Sequence, residues 1–147
     1  MTLENTCAIV QVMPKERKIV VDASAVLAVI LDEPEKAALV EETEGATLLA
    51  PGCLTWEIGN AFSAILKRRR IDFESVSEGL AIFEMIPIQE MEVSLIDAMA
   101  LCNRHEIYAY DAYYLQLAKR SSLPLLTLDR RMVEVAQQEN IQVKGIK

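Results

Sequence analysis

The stretch Lys18–Leu31, KIVVDASAVLAVIL, decides how this chain folds. Ile19, Val20 and Val21 form a β-branched apolar run of the kind that makes a strand buried on both faces, and the run stops at a carboxylate, Asp22. Beyond Ala23 and Ser24, the apolar residues Ala25 to Leu31 suffice for about two helical turns, with Asp22 or Ser24 as N-cap. A strand therefore hands over to a helix at an acid. In open α/β sheets ligands sit outside the carboxyl ends of the strands, so an acid at this junction faces a crevice. The plainer reading, that Asp22 only caps the helix, fits the same residue, because Asp is an ordinary N-cap.

A chain of 147 residues fits one domain with a sizeable core. No internal repeat, linker or low-complexity segment interrupts it. No apolar run reaches the roughly 18–20 residues of a membrane span, and the start lacks the features of a signal peptide, so a cytoplasmic location is expected. Cys7, Cys53 and Cys102 are far apart, without CxxC spacing or a neighbouring His, which argues against a disulfide framework and a zinc site. A net charge of −7 disfavours phosphate-bearing partners, but positive charge gathers at Lys67–Arg70, Lys119–Arg120 and Arg130–Arg131. Such groups also suit helix C-termini.

Residues 1–17 read as an N-terminal extension, with Cys7–Met13 as an added edge strand and Met13 as an internal translation start; 18–147 read as the domain proper. Pro34 suits the first turn of a helix running to about Glu44, which Gly45 ends. Thr47–Ala50 forms a second strand before the turn Pro51–Gly52. From Leu54 to Arg70 the spacing of Ile58, Phe62, Ile65 and Leu66 predicts a helix, with Glu57 in its first turn, Asn60 beside Glu57, and small Gly59, Ala61 and Ala64 for close packing. Asp72–Met85 is a further helix, closed by the extended segment Ile86–Ile88. Ser94 with Asp97 makes a capping box for a helix ending near His105. The sole His, lacking a Ser or Cys partner, supports no triad. Tyr110–Lys119 is helical, with Asp111 in its first turn; Leu123–Leu128 is a strand ending at Asp129, Met132–Gln138 a helix and Ile141–Ile146 a last strand. Tyr110 and Tyr113 offer a stacking face, whereas Tyr114 reads as core. This alternation predicts a three-layer α/β/α sandwich with a mostly parallel central sheet.

Asp22 and Asp129 end strands, whereas Glu57 and Asp111 open helices. In a parallel sheet those positions share one edge, so the acids converge on one crevice. Ionised carboxylates so close repel one another by several kcal/mol per pair even at an effective dielectric near 20. Either some take up protons or a hard divalent cation binds, and oxygen-only donors suit Mg²⁺ or Mn²⁺. Magnesium's preference for one or two carboxylates, waters and substrate phosphate makes phosphodiester hydrolysis the natural chemistry.

The set VVDASAV, PGCLTWEIGNAF, YAYDAYYLQLA and LLTLDRRM resembles the PIN domain, and more narrowly the VapC ribonuclease toxins of type II toxin–antitoxin modules, over nearly everything from Lys18 onward. The resemblance matches the family's acids to Asp22, Glu57, Asp111 and Asp129, its small hydroxyl positions to Ser24 and Thr127, and its usual Asn to Asn60. Three residues before the third acid the family often has Ser or Thr, and here Tyr108 stands. The resemblance implies Mg²⁺- or Mn²⁺-dependent cleavage of single-stranded or looped RNA, an antitoxin partner and a homodimer. On that footing Asp22, Asp111 and Asp129 hold metal directly or through water, and Glu57 orients or deprotonates the attacking water. Arg68, Arg69, Arg70, Arg130 and Arg131 supply phosphate contacts. Two rival classes stay open: a phosphatase or receiver phosphorylated at Asp22, and a non-catalytic protein-binding module.

Overall fold

Ile19, Val20 and Val21 are almost wholly shielded from solvent, as residues of a strand covered on both faces must be. In the computed structural model, which describes residues 15–145, they lie in β1 (Lys18–Val21) at the centre of a five-stranded sheet of order β3-β2-β1-β4-β5. The other strands are β2 (Thr47–Pro51), β3 (Ile88–Met91), β4 (Leu125–Leu126) and β5 (Val143–Lys144). Every pairing is parallel, with Val20 opposite both Leu49 and Leu125.

Parallel neighbours need crossovers, supplied by α1 (Ala23–Ile30), α2 (Lys36–Thr43), α3 (Cys53–Lys67), α4 (Phe73–Met85), α5 (Leu95–His105), α6 (Ala109–Ser121) and α7 (Arg130–Gln138). The chain steps outward from β1 to β3, then returns to β4 on the other side of β1. Right-handed crossovers then put α1–α4 on one face and α5–α7 on the other, in keeping with α1 packing on α2, α3 and α4, and α6 on α5 and α7. The direction reverses between β1 and β4, so a crevice opens at their carboxyl ends.

Several expected boundaries shift for identifiable reasons. The helix from Leu54 starts earlier, at Cys53, and stops at Lys67, because Arg68 caps it and Arg69 turns left-handed at φ 52°. Pro34 lies in the turn before α2 rather than in its first turn. The extended piece at Ile86–Ile88 leads into a strand that continues to Met91; Gln89 and Glu90 point to solvent because β3 is an edge. Of Leu123–Leu128 only Leu125 and Leu126 join the ladder, since Thr127 turns to bond Asp22. The last strand shrinks to Val143–Lys144.

Gly59 has no packing role: a Cβ there meets nothing within 4 Å. The close-packed glycine within a helix is Gly79, where a Cβ would come within 2.7 Å of Phe62 Cζ and 3.1 Å of Ile30 Cγ2, so α4 meets side chains of α3 and α1 through it. Arg17, inside the expected extension, donates to the carbonyls of Glu42 and Glu44 at 2.7 and 2.9 Å and ties the lead-in to the end of α2. The edge strand expected at Cys7–Met13 lies outside the described residues.

Candidate active site

Asp22 is 3% exposed, and both of its oxygens are held. Oδ1 accepts from Ser24 Oγ at 2.7 Å and from the Ala25 amide at 3.0 Å; Oδ2 accepts from Thr127 Oγ1 at 2.6 Å. Each hydroxyl in turn accepts a backbone N–H, Ser24 from Leu128 at 2.9 Å and Thr127 from Asp129 at 3.0 Å. Those amides fix the direction of the two hydroxyl protons toward Asp22, so two parallel relays hold one carboxylate. Capping and site-building are therefore not alternatives: the Ala25 bond is the helix cap, and the rest is orientation.

Glu57 is the fifth residue of α3, just beyond the first turn in which it was expected and in which a carboxylate gains most from the helix dipole. Its Oε2 accepts from the buried Tyr114 hydroxyl and from the Cys53 thiol, the latter at 3.9 Å. Asp111 stands in the first turn of α6, and Asp129 caps α7 by accepting from the Met132 amide at 2.9 Å.

Burial pushes the Asp22 carboxyl above the ordinary range against the pull of the Thr127, Ser24 and Ala25 bonds, with the charge of Asp129 adding to the rise. Glu57 is raised by burial first and then, against its Tyr114 bond, by the charges of Asp22 and Asp111. Asp111 is raised by burial and by Asp129 and Asp22. Five of the six pairs among the four acids thus interact through their charges, all but Glu57 with Asp129, in keeping with a shared crevice. Among the described residues no Lys or Arg pairs with any of them.

An uncompensated set of oxygen donors at the mouth of a sheet fits a hard divalent cation. Among the described residues no three His, Cys, Asp or Glu side chains close into a cage by themselves. Magnesium is commonly held by one or two protein carboxylates and completed by water, a donor set that these acids can supply. The exposed Asn60 is one turn beyond Glu57. Arg68–Arg70 follow the far end of α3, ten residues and about 15 Å along the axis from Glu57 to Lys67. Arg130 is exposed at the start of α7, whereas Arg131 is engaged with the His105 carbonyl at 2.7 Å and with Glu134 at 3.2 Å.

Two features escaped the sequence. Tyr114 is core, as its neighbours suggest, yet its hydroxyl reaches Glu57, three residues on from Asp111 and one helix turn below it. His105 ends α5 as expected but is buried, where it joins Arg104 and Lys119 around Glu139. No local signal in the chain marks either contact, since the partners are 57 and 34 residues apart.

Comparison with known proteins agrees with this geometry. The model of the PIN domain matches residues 19–138. Ribonuclease VapC3 of Pyrobaculum aerophilum is 30% identical over 123 residues, covering 80% of this chain and 93% of the relative. Among solved structures, PAE2754 from Pyrobaculum aerophilum superposes with a TM-score of 0.66 at 22% identity, covering 86% of this chain and 83% of that one. VapBC2 from Rickettsia felis, solved bound to a DNA fragment from its promoter, gives 0.64 at 13% identity, covering 88% and 99%. With the expected parallel sheet, acids gathered at its carboxyl edge and a family match across most of its length, this chain belongs to the PIN-domain family and is homologous to the VapC ribonucleases.

Proposed function

We propose that this protein is a divalent-metal-dependent endoribonuclease, the toxin of a toxin–antitoxin pair, that hydrolyses RNA phosphodiesters with Mg²⁺ or Mn²⁺ in the cytoplasm. The observation that carries the reading is the mutual electrostatic coupling of Asp22, Glu57, Asp111 and Asp129 with no basic partner among the described residues, in a chain homologous to ribonucleases. The nuclease domain is 18–147, and 1–17 an extension to it.

Asp22, Asp111 and Asp129 are the residues to hold the ion, directly or through water. Such an ion offsets phosphate charge and lowers the pKa of water. Asp22 is a rigid ligand, because its two relays leave it no freedom to turn away, and each oxygen keeps a further lone pair. The same burial makes it a poor nucleophile and disfavours the phosphorylated-aspartate alternatives. Glu57 receives the proton of the attacking water. Both of its contacts fall on Oε2, which leaves Oε1 to face the water, and its raised proton affinity makes it a better acceptor than an ordinary carboxylate. Ser24 and Thr127 act through Asp22. Asn60 and Arg130 at the rim, and Arg68–Arg70 further along α3, meet the RNA backbone, whereas Arg131 must first release the His105 carbonyl and Glu134 to do so.

An apolar groove of about 420 Å³, lined by Val26, Val29, Leu39, Val40, Met85 and Pro87 among others, supports a protein partner of the antitoxin kind. Exposed Ile82 and Met85 on α4 and Leu95 and Ile96 on α5 support a homodimer.

The test is cleavage of total RNA by the purified, partner-free protein with Mg²⁺ or Mn²⁺, followed by sequencing of the new ends. Cleavage that disappears in chelator, returns with Mn²⁺ and is absent in folded Asp111→Asn supports the reading; no cleavage by wild type with metal present overturns it.

A further inference from the structure

A protein of net charge −7 that gathers carboxylates at its active site meets RNA at a disadvantage, because phosphates are repelled from the place where one must be cut. Stacking on nucleobases is a source of affinity that does not depend on charge. The largely exposed aromatic side chains among the described residues are Trp56 (73%), Phe73 (73%), Tyr108 (87%) and Tyr110 (52%). Three of these adjoin the acids: Trp56 precedes Glu57 in α3, Tyr110 precedes Asp111 in α6, and Tyr108 is the N-cap residue of α6. The Tyr114 hydroxyl, one turn beyond Tyr110 on α6, donates to Glu57, the neighbour of Trp56 on α3, so the two helix starts that carry these rings lie against each other.

Their exposure follows from helix geometry. Leu54, Ile58 and Phe62 face the core, and Trp56, two residues and so about 200° from Ile58, projects outward with the exposed Asn60 one turn on. On α6, Ala112, Leu115 and Ala118 are buried, while Tyr110 stands at the rim, braced by the edge of Tyr113 with ring centroids 6.1 Å apart and planes at 77°. Tyr108 caps α6 through its backbone carbonyl alone, which accepts from the Ala112 amide at 3.2 Å, and its side chain makes no cap hydrogen bond.

We propose that Trp56, Tyr108 and Tyr110 are base-contacting residues of this chain, forming a stacking rim for unpaired nucleobases beside the acidic crevice. The proposal rests on the ribonuclease reading and names the residues of that site that would grip the bases. Bases inside a duplex have no free face to offer these rings, so paired RNA is excluded by geometry.

Trp56 is the chain's sole tryptophan, and its emission therefore reports on the rim alone. The probe is a mixed-sequence single-stranded RNA of 12 nucleotides, compared with the same strand annealed to its complement. Emission is recorded for wild type in EDTA and for Asp111→Asn in Mg²⁺. The expected result is quenching and protection from acrylamide with the single strand, and neither with the duplex. In steady-state cleavage, Trp56→Ala and Tyr108→Ala are expected to raise KM by about 5- to 150-fold with kcat changed less than about threefold, and Trp56→Phe and Tyr108→Phe to keep most of the wild-type KM. Unchanged emission under both conditions, equal response to the duplex, or Ala variants with wild-type KM overturns the stacking rim. Quenching by single strands without cleavage of any RNA by wild type supports the rim and overturns the ribonuclease reading instead.

Discussion

Thr127→Val removes one arm of the support under Asp22 while keeping side-chain shape. The lost bond is a 2.6 Å hydroxyl donation to a carboxylate that is 3% exposed, a charge-assisted interaction contributing about 1.5–3 kcal/mol. The Asp129 amide also loses its acceptor, but Asp129 is exposed and water replaces it there. Burial already raises the Asp22 carboxyl and the Thr127 bond opposes the rise, so deletion pushes proton affinity further up. A group with a raised folded pKa opposes folding when ionised; its contribution is intact below the ordinary carboxylate range and is lost as pH climbs through the folded value. The metal-free variant should therefore lose about 2 kcal/mol at pH 7, or about 6–8 °C in Tm, and clearly less at pH 4, where a neutral hydrogen bond worth about 0.5–1.5 kcal/mol is all that is missing. Urea denaturation at the two pH values measures this. A variant as stable as wild type at pH 7, or a gap unchanged at pH 4, refutes the view that Thr127 holds an ionised Asp22.

Glu139 runs the opposite way. Burial alone would raise its carboxyl, but bonds from His105, Lys119 and Arg104 and the charge of Lys119 bring it down to about 2 from an ordinary 4.5. Its stabilisation is present above 4.5 and fades as pH falls toward 2; with Arg104 and Lys119 half exposed and screened, Glu139→Gln should cost about 1–2 kcal/mol at pH 7, roughly two-fifths of that at pH 3 and little at pH 2 in the same denaturation assay. Gly59→Ala should stabilise by about 0.5–1 kcal/mol, since nothing meets the new methyl. Gly79→Ala should destabilise by about 0.5–2 kcal/mol, because the clash with Phe62 outweighs the gain in helix propensity; thermal melts with equal signs for the two would contradict the packing of α4. Tyr114→Phe should lower kcat about 10- to 100-fold with KM little changed, as Glu57 loses its buried donor; single-turnover cleavage measures it, and an unaltered rate removes Tyr114 from the site.

Much of this molecule was legible in the chain because its information is local. Ile19–Val21 followed by Asp22 specifies a buried strand and a capped helix within a dozen residues, and a second such junction at Asp129, with Glu57 and Asp111 near helix starts between them, implies a parallel sheet with acids along one edge. Gly59 misled because smallness in a helix has two causes: tight contact at Gly79, nothing at Gly59. The two arginine clusters looked equivalent in sequence, and only the length of α3 separates Arg68–Arg70 from the crevice that Arg130 borders.

By itself, then, the sequence determined the alternation of elements, the identity of the acids and the family, since hydrophobic period and capping act between neighbours. The tertiary structure decided what the acids experience: which hydroxyls aim at Asp22, that Tyr114 and Cys53 converge on one oxygen of Glu57, and that Glu139 is enclosed by three basic groups. Those contacts join residues 20 to 105 positions apart except for Ser24, Cys53 and the caps, and no local propensity encodes a bond whose partners meet only when the sheet has closed.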